Sequence, residues 1–116
     1  MEIKRVVPNI QSDHLEQSRK FYRDFLGFEV LMDMDWIVTF VSGSNSTAQL
    51  SLITSDMTTP VIADVSIEVE DVDQLYAQAV RCGFKIVYPI TNEPWGVRRF
   101  FVQDPNGQIV NILTHL

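Results

Sequence analysis

Apolar residues recur along this chain in two rhythms that alternate from segment to segment. Segments in which every second residue is apolar indicate strands with one buried face, and segments with an apolar residue every three or four positions indicate amphipathic helices. In the first half this pattern predicts strands at residues 3–11, 28–32, 36–41 and 48–53, with a helix that ends at Gly27. The order is therefore one strand, one helix and three strands.

The start of the first helix is indicated by Asp13-x-x-Glu16, which has the spacing of a capping box. In such a box the first side chain accepts a hydrogen bond from a backbone N–H group that has no partner within the helix. Leu15, Tyr22 and Phe25 then supply an apolar stripe. We expect an amphipathic helix of about three turns that is capped by Asp13.

The second half repeats the order of the first. Strands are predicted at residues 64–69 and 85–90, and the helix between them begins at Asp71-x-x-Gln74, again with capping-box spacing, and ends at Gly83. Two more strands follow in the closing segment of the chain. The second half therefore has the same five elements.

The repeat is also visible in the residues at the two helix ends, where LGFEV at residues 26–30 corresponds to CGFKI at residues 82–86. An internal repeat outweighs other indications of fold. The chain is predicted to be a single domain, residues 1–116, that is made of two β-α-β-β-β modules at about residues 1–55 and 61–116, joined by a short linker.

The closing segment, EPWGVRRFFVQDPNGQIVNILTHL at residues 93–116, is the most informative part of the sequence. Strand-forming residues at 98–103 and 109–113 flank Asp104-Pro105-Asn106-Gly107, a turn sequence. The Asn-Gly pair is a strong signal for a hairpin. We expect two antiparallel strands here.

Two motifs carry a resemblance to a known family. The closing segment has Trp-Gly, then Arg and Phe, then Asp-Pro-x-Gly, and LEQSRKFYRDFLGFEV at residues 15–30 is similar to the family's first helix and its exit. Together they resemble the vicinal-oxygen-chelate superfamily, which includes glyoxalases, bleomycin-resistance proteins and extradiol dioxygenases. The resemblance covers nearly the whole chain and is nearest to the bleomycin-resistance branch.

The resemblance implies an α+β fold in which two β-α-β-β-β modules with curved mixed sheets enclose a cleft. It also implies a test for metal chemistry, because metal-dependent relatives carry His or Gln, His and Glu at three strand positions. Those positions here hold Arg5, Asp64 and Asn111. Arginine has no lone pair for a metal, and asparagine offers only a neutral oxygen. We expect no metal, no cofactor and no catalytic residue.

Strand alternation predicts which side chains face the cleft. Asp64 and Glu68 lie opposite the apolar positions of their strand, and Arg99, Phe101 and Asn111 share the concave side of the closing hairpin. A buried arginine without a partner is costly. We therefore expect Arg99, together with the arginine on the first strand, to pair with Asp64 and Glu68 across the cleft.

Two tryptophans complete the set of candidates. Trp95 lies in a Pro-Trp-Gly loop, where it serves either as a lid over a ligand or as a plug of the core. Trp36 opens a predicted strand, where cross-strand packing is the simpler role. The predicted ligand-binding residues are Arg5, Trp36, Asp64, Glu68, Trp95, Arg99, Phe101 and Asn111.

The two histidines and the one cysteine are not expected to act as a catalytic base or nucleophile. His14 is expected to be solvated or to act at the helix start, and His115 is expected to be exposed near the end of the chain rather than to act as a base. Cys82 precedes Gly83 at a helix C-terminus, the wrong end of the helix dipole for a thiolate.

Charge and cysteine content narrow the classes of partner. A formal net charge of −6 disfavours nucleic acid and anionic membranes, which reward clustered Lys and Arg. A single cysteine rules out an internal disulfide, and no apolar run approaches the roughly 20 residues that span a bilayer. We expect a cytoplasmic protein.

The leading hypothesis is a metal-independent binding protein for a small organic molecule, of cationic or neutral aromatic character. Phe101 and Leu113 are apolar residues on the predicted concave side that need cover from solvent, which favours a homodimer whose second subunit completes the cleft. One alternative is a metal-dependent lyase, isomerase or dioxygenase that uses a displaced set such as Asp64 and Glu68. Another is an interaction domain with a shallow cleft.

Overall fold

The computed structural model describes all 116 residues and contains eight strands and two helical segments. In chain order they are β1 (Ile3–Gln11), α1 (Leu15–Arg19) with its π-helical continuation (Lys20–Phe25), β2 (Glu29–Asp33), β3 (Ile37–Val41), β4 (Gln49–Ile53), β5 (Val65–Val69), α2 (Val72–Arg81), β6 (Ile86–Asn92), β7 (Val97–Gln103) and β8 (Ile109–His115). The α+β fold with two β-α-β-β-β repeats is confirmed. Neither helical segment has the length and apolar character needed to cross a membrane.

The chain divides into two compact units. Residues Val7–Ile62 form one, called here the N-terminal unit, and Ala63–Leu116 together with Met1–Val6 form the other, called the C-terminal unit. Strand β1 therefore contributes residues to both. That the two modules make a single domain stays a prediction.

In the N-terminal unit the strands are ordered β2-β3-β4-β1. The β2–β3 and β3–β4 pairs are antiparallel, and β1 runs parallel to β4. Val38, Phe40 and Leu52 are fully buried and form its core. The helix covers this core, with Tyr22 packed against Phe40 at 5.9 Å between ring centroids.

The start of the first helix differs from the prediction. The residue at the capping position is His14, its side chain makes no capping hydrogen bond, and the backbone N–H of His14 donates to Ser12 Oγ at 3.0 Å. Because His14 and not Asp13 is the residue at the start of the helix, the predicted Asp13 cap is wrong. From Lys20 onward the turns widen into a π-helix, and Leu26 N donates to Phe21 O at 3.1 Å.

In the C-terminal unit the order is β1-β5-β8-β7-β6, with β5 parallel to β8 and the β7–β8 and β6–β7 pairs antiparallel. Helix α2 begins as predicted, since the Asp71 side chain accepts a hydrogen bond from Gln74 N at 3.1 Å. It packs on one face of this sheet through Val69, Val72 and Phe100. The opposite face carries Asn111 together with the buried Phe101 and Leu113.

The turn between β7 and β8 is held by a single carboxylate. Asp104 Oδ1 accepts hydrogen bonds from Asn106 N at 2.8 Å and Gln108 N at 2.9 Å, and Gly107 adopts φ +85°. The hydrogen bond from Gln108 N, followed by those from Asn106, holds the pKa of Asp104 below its usual value of 3.8. The ionised form of Asp104 therefore stabilises the hairpin.

We expect Asp104→Asn to lower the urea midpoint of unfolding at pH 7, because a neutral amide is a weaker acceptor for the two N–H groups. A carboxyl with a lowered folded pKa contributes stability above its ordinary value of 3.8 and loses it as the pH falls through the folded value. The difference from wild type should therefore shrink below that pH. Asp13→Asn, at an exposed aspartate, is the control, and an equal gap at low and neutral pH would contradict the assignment.

Candidate functional site

The face of the C-terminal unit opposite α2 gathers polar side chains from three strands. Alternation along β8 sends Asn111 to this face because Ile112, next in sequence, packs toward the helix. Across the parallel ladder Asn111 is paired in register with Ser66. We call the set Arg5, Ser66, Glu68, Asn111 and His115 the polar face.

Asn111 is the buried centre of the polar face. Its Nδ2 donates to Ser66 Oγ at 3.0 Å. Only 8% of the residue is exposed, and its Oδ1 is buried without a hydrogen-bond partner. An unsatisfied buried acceptor is uncommon in folded proteins. An N–H or O–H group brought to this oxygen would therefore gain a hydrogen bond.

Glu68 is held by a cation on one oxygen and an imidazole on the other. Its Oε1 lies 3.2 Å from Arg5 Nε, and its Oε2 lies 2.7 Å from His115 Nδ1. The expected contact between Arg5 and Glu68 is present. His115 is predicted to be exposed rather than to act as a base; half of its side chain is exposed, and the ring contacts Glu68. The sequence does contain a signal for this contact, because alternation along β8 places His115 on the same face as Asn111.

Asp64 does not belong to the polar face. It precedes β5, and it is exposed. Its Oδ2 accepts a hydrogen bond from Ile109 N at 2.8 Å, and its own N–H donates to Ile109 O at 2.8 Å. The prediction that Asp64 pairs with an arginine is wrong, because its carboxylate is used to align the starts of β5 and β8.

The residues present do not suit the divalent metal of the wider family. Arg5 is a permanent cation, Asp64 is engaged with backbone, and Asn111 supplies one neutral oxygen. No group of three or more His, Cys, Asp or Glu side chains is arranged to hold a metal ion.

Arg99 is buried and pairs with a residue that sequence reasoning overlooked. Its Nη2 and Nε lie 2.6 and 2.7 Å from Glu93 Oε2, and the two side chains are 5% and 1% exposed. The predicted pairing of Arg99 with Asp64 and Glu68 is therefore wrong. Glu93 lies in the loop that joins β6 to β7, and the Gly96 turn (φ +89°) brings it back beside Arg99.

Three aromatic rings surround the same guanidinium. Arg99 Cζ lies 5.3 Å from the ring centroid of Tyr88, 5.0 Å from that of Trp95 and 4.8 Å from that of Phe101. Tyr88 also donates its hydroxyl to Glu93 at 3.2 Å. Trp95 and Phe101, both among the predicted ligand-binding residues, therefore stack on a cation of the protein itself.

Three further residues with a predicted role are Trp36, Phe101 and Leu113. Trp36 lies in the N-terminal unit directly before β3, and its carbonyl accepts from Thr54 N at 2.9 Å. Phe101 and Leu113, expected to need a second subunit as cover, are already buried within the single chain at 1% and 6% exposure. Phe101 and Leu113 therefore need no second subunit to shield them from solvent. Dimerisation itself stays a prediction.

The profile of the Glyoxalase/Bleomycin resistance protein/Dioxygenase superfamily matches residues 3–112. A superfamily member from Vibrio splendidus 12B01 is 21% identical over 97% of this chain and 99% of its own, with a TM-score of 0.74. A hypothetical protein from Bacillus halodurans C-125 is 13% identical, over 100% of this chain and 96% of its own, with a TM-score of 0.78. Methylmalonyl-CoA epimerase from Mycobacterium tuberculosis is 17% identical, over 98% and 87%, with a TM-score of 0.69. No curated protein matches the chain. At these identities the structural matches show the fold alone.

We expect Glu93→Gln to reduce the free energy of unfolding by roughly 3 kcal/mol, because it removes the charge that a buried guanidinium contacts. Urea unfolding followed by tryptophan fluorescence measures the loss. Arg99→Met in the same chain should restore part of it, since no buried charge then remains without a partner. Glu70→Gln, on an exposed glutamate, is the control, and a loss no larger than the control's would contradict a structural ion pair.

Proposed function

Because the chain belongs to the Glyoxalase/Bleomycin resistance protein/Dioxygenase superfamily, we propose that it is a metal-independent binding protein for a small organic molecule. The observation that carries the proposal is the buried Oδ1 of Asn111, an acceptor without a donor on the polar face. A ligand that bears an N–H or O–H group would satisfy it.

The charges around Asn111 favour a neutral or cationic ligand over an anionic one. Arg5 lies against Glu68, and Arg99 lies against Glu93, so each guanidinium already contacts a carboxylate. The groups that remain for a ligand include an amide oxygen and the shared carboxylate of Glu68. In a chain of net charge −6, an anion would approach against the overall field.

An aromatic ligand would add apolar contact to this polar anchor. Aromatic rings bury a large area at low cost in conformational entropy, and small-molecule sites usually combine apolar walls with a few polar groups. The matched probes for a test are therefore phenethylamine, 2-phenylethanol and 3-phenylpropionate, which share a phenyl ring and differ in charge.

We expect phenethylamine and 2-phenylethanol to raise the melting temperature of the protein, and 3-phenylpropionate to have no effect, in a thermal-shift titration. Asn111→Leu should lower the affinity for phenethylamine and 2-phenylethanol about tenfold, which corresponds to about 1.4 kcal/mol for one lost hydrogen bond. Asn111→Asp should strengthen the binding of phenethylamine, which is a cation, and leave the binding of 2-phenylethanol unchanged.

Gln108→Leu, an exposed amide on the same hairpin, is the matched control and should leave binding unchanged. Selective stabilisation by 3-phenylpropionate would overturn the assignment of ligand charge. If none of the three probes stabilises the protein, or if the Asn111→Leu variant binds them as tightly as wild type does, Asn111 is not the anchor for a ligand.

Metal content separates this proposal from a metal-dependent enzyme of the same superfamily. We expect protein purified without chelator to carry well under one equivalent of any transition metal by elemental analysis, because the family's ligand positions hold Arg5, Asp64 and Asn111. Stoichiometric zinc, manganese, nickel or iron would favour the enzyme instead.

A further inference from the structure

A cavity of about 190 Å³ lies between α2 and the sheet of the C-terminal unit. All but one of its lining side chains are apolar, and the polar one is Gln78 on the helix. The apolar ones are Leu75, Ala79, Phe84, Phe100, Val102 and Ile112. Phe84 is 56% exposed, so the cavity opens to solvent beside this ring. The cavity lies on the helix side of the sheet, whereas the polar face lies on the other side.

The internal repeat shows which residue holds the place of Ala79 in the N-terminal unit. The backbone N–H of Phe84 donates to Ala79 O at 3.0 Å, and that of Phe28, its counterpart in the repeat, donates to Tyr22 O at 3.0 Å. The π-helical turn adds one residue to the first helix, so Tyr22 lies six positions before its phenylalanine and Ala79 lies five. A tyrosine ring of the N-terminal unit is thus replaced by a methyl group in the C-terminal unit.

Strand pairing identifies a second replacement of the same kind. Val30 and Ile86 correspond to each other in the repeat. Val30 pairs in register with Phe40, and Ile86 pairs in register with Val102. Phe40 therefore corresponds to Val102, and a second aromatic ring is absent from the C-terminal unit.

Three rings fill this place in the N-terminal unit, and one remains in the C-terminal unit. Tyr22 lies 5.9 Å from Phe40 and 6.4 Å from Phe28 between ring centroids, and Phe28 lies 6.5 Å from Phe40. The counterparts of these three residues all line the cavity: Ala79, Phe84 and Val102. The cavity therefore exists because two rings are missing from a place where this fold otherwise packs aromatic side chains.

Water is a poor occupant of this cavity. A buried water makes about three hydrogen bonds, and the lining offers one polar side chain, that of Gln78. An empty space would forfeit the dispersion contacts of the atoms around it. An apolar cavity of about 150 Å³ with comparable walls binds benzene, so this cavity has room for a benzene ring with a small substituent.

We propose that the cavity binds a small neutral aromatic molecule with a single ring. The ring takes the place of the missing side chains and packs against Phe84 and Phe100, as aromatic rings favour. A hydroxyl substituent at the mouth meets the amide of Gln78. A charged molecule is excluded because the lining holds no side chain that would pair with its charge. This site is separate from the one proposed at Asn111 and does not depend on it.

A thermal-shift titration with phenol, cyclohexanol and benzoate tests the class of ligand. The three molecules share a six-membered ring and differ in aromaticity and charge. We expect about 5 mM phenol to raise the melting temperature, cyclohexanol to bind about fivefold more weakly because it lacks the contacts between aromatic rings, and benzoate to have no effect. Stabilisation by benzoate, or equal stabilisation by cyclohexanol, would overturn the class of ligand. No stabilisation by phenol would overturn the site.

Two matched variants test the location. Val102→Phe restores the ring that Phe40 supplies in the other unit, and it should lower the affinity for phenol at least about tenfold by filling the cavity. Val80→Phe, at an exposed residue of α2 outside the lining, is the control and should bind phenol as wild type does. Asn111→Leu should also bind phenol as wild type does, since it alters the other face of the sheet. Unchanged affinity in Val102→Phe, or lost affinity in Asn111→Leu, would overturn the location.

Intermolecular nuclear Overhauser effects test the location in the wild-type protein, without any substitution. The protons of bound phenol should show effects to the methyl groups of Leu75, Val102 and Ile112, which line the cavity. They should show none to the methyl groups of Leu113, which lies on the opposite face of β8. Effects to Leu113 in place of the three lining residues would overturn the proposal.

Discussion

The parallel register between β5 and β8 is the constraint on which the polar face depends. Asp64 fixes it at one end, since its backbone N–H and its carboxylate both engage Ile109, each at 2.8 Å. A slip of one residue would turn every side chain of β8 to the other face of the sheet. Asn111 would then meet α2, and Ile112 would replace it beside Ser66. The exposed aspartate thus positions a buried amide that it never contacts.

Much of the fold could be predicted because its signals are local. The Asp71 cap was confirmed from a four-residue pattern, and alternation correctly put Arg99 and Phe101 on one side of the closing hairpin, where the Arg99 Cζ lies 4.8 Å from the Phe101 ring centroid. The Asp13 cap failed because the helix begins one residue later, with His14 at the capping position. Local patterns thus predict that a helix starts in a segment, but they do not fix the residue at which it starts.

The site was less predictable because its contacts join distant elements. Alternation placed Glu68 on the correct face, yet the partner of Arg99 comes from a loop whose path depends on a glycine with positive φ. The position of His115 near the chain end predicts only an exposed residue, whereas the parallel pairing of β5 and β8 brings its Nδ1 to 2.7 Å from Glu68 Oε2. A sequence pattern gives the face of a strand but not the neighbour across it.

The cage around Arg99 has a consequence for how this sequence can change over time. Glu93 and Arg99 are six positions apart on one hairpin, and either charge alone is costly once it is buried. Three rings lie against the guanidinium of this pair, at 4.8 to 5.3 Å from its Cζ to their centroids. Drift at either position is therefore constrained by the residue at the other.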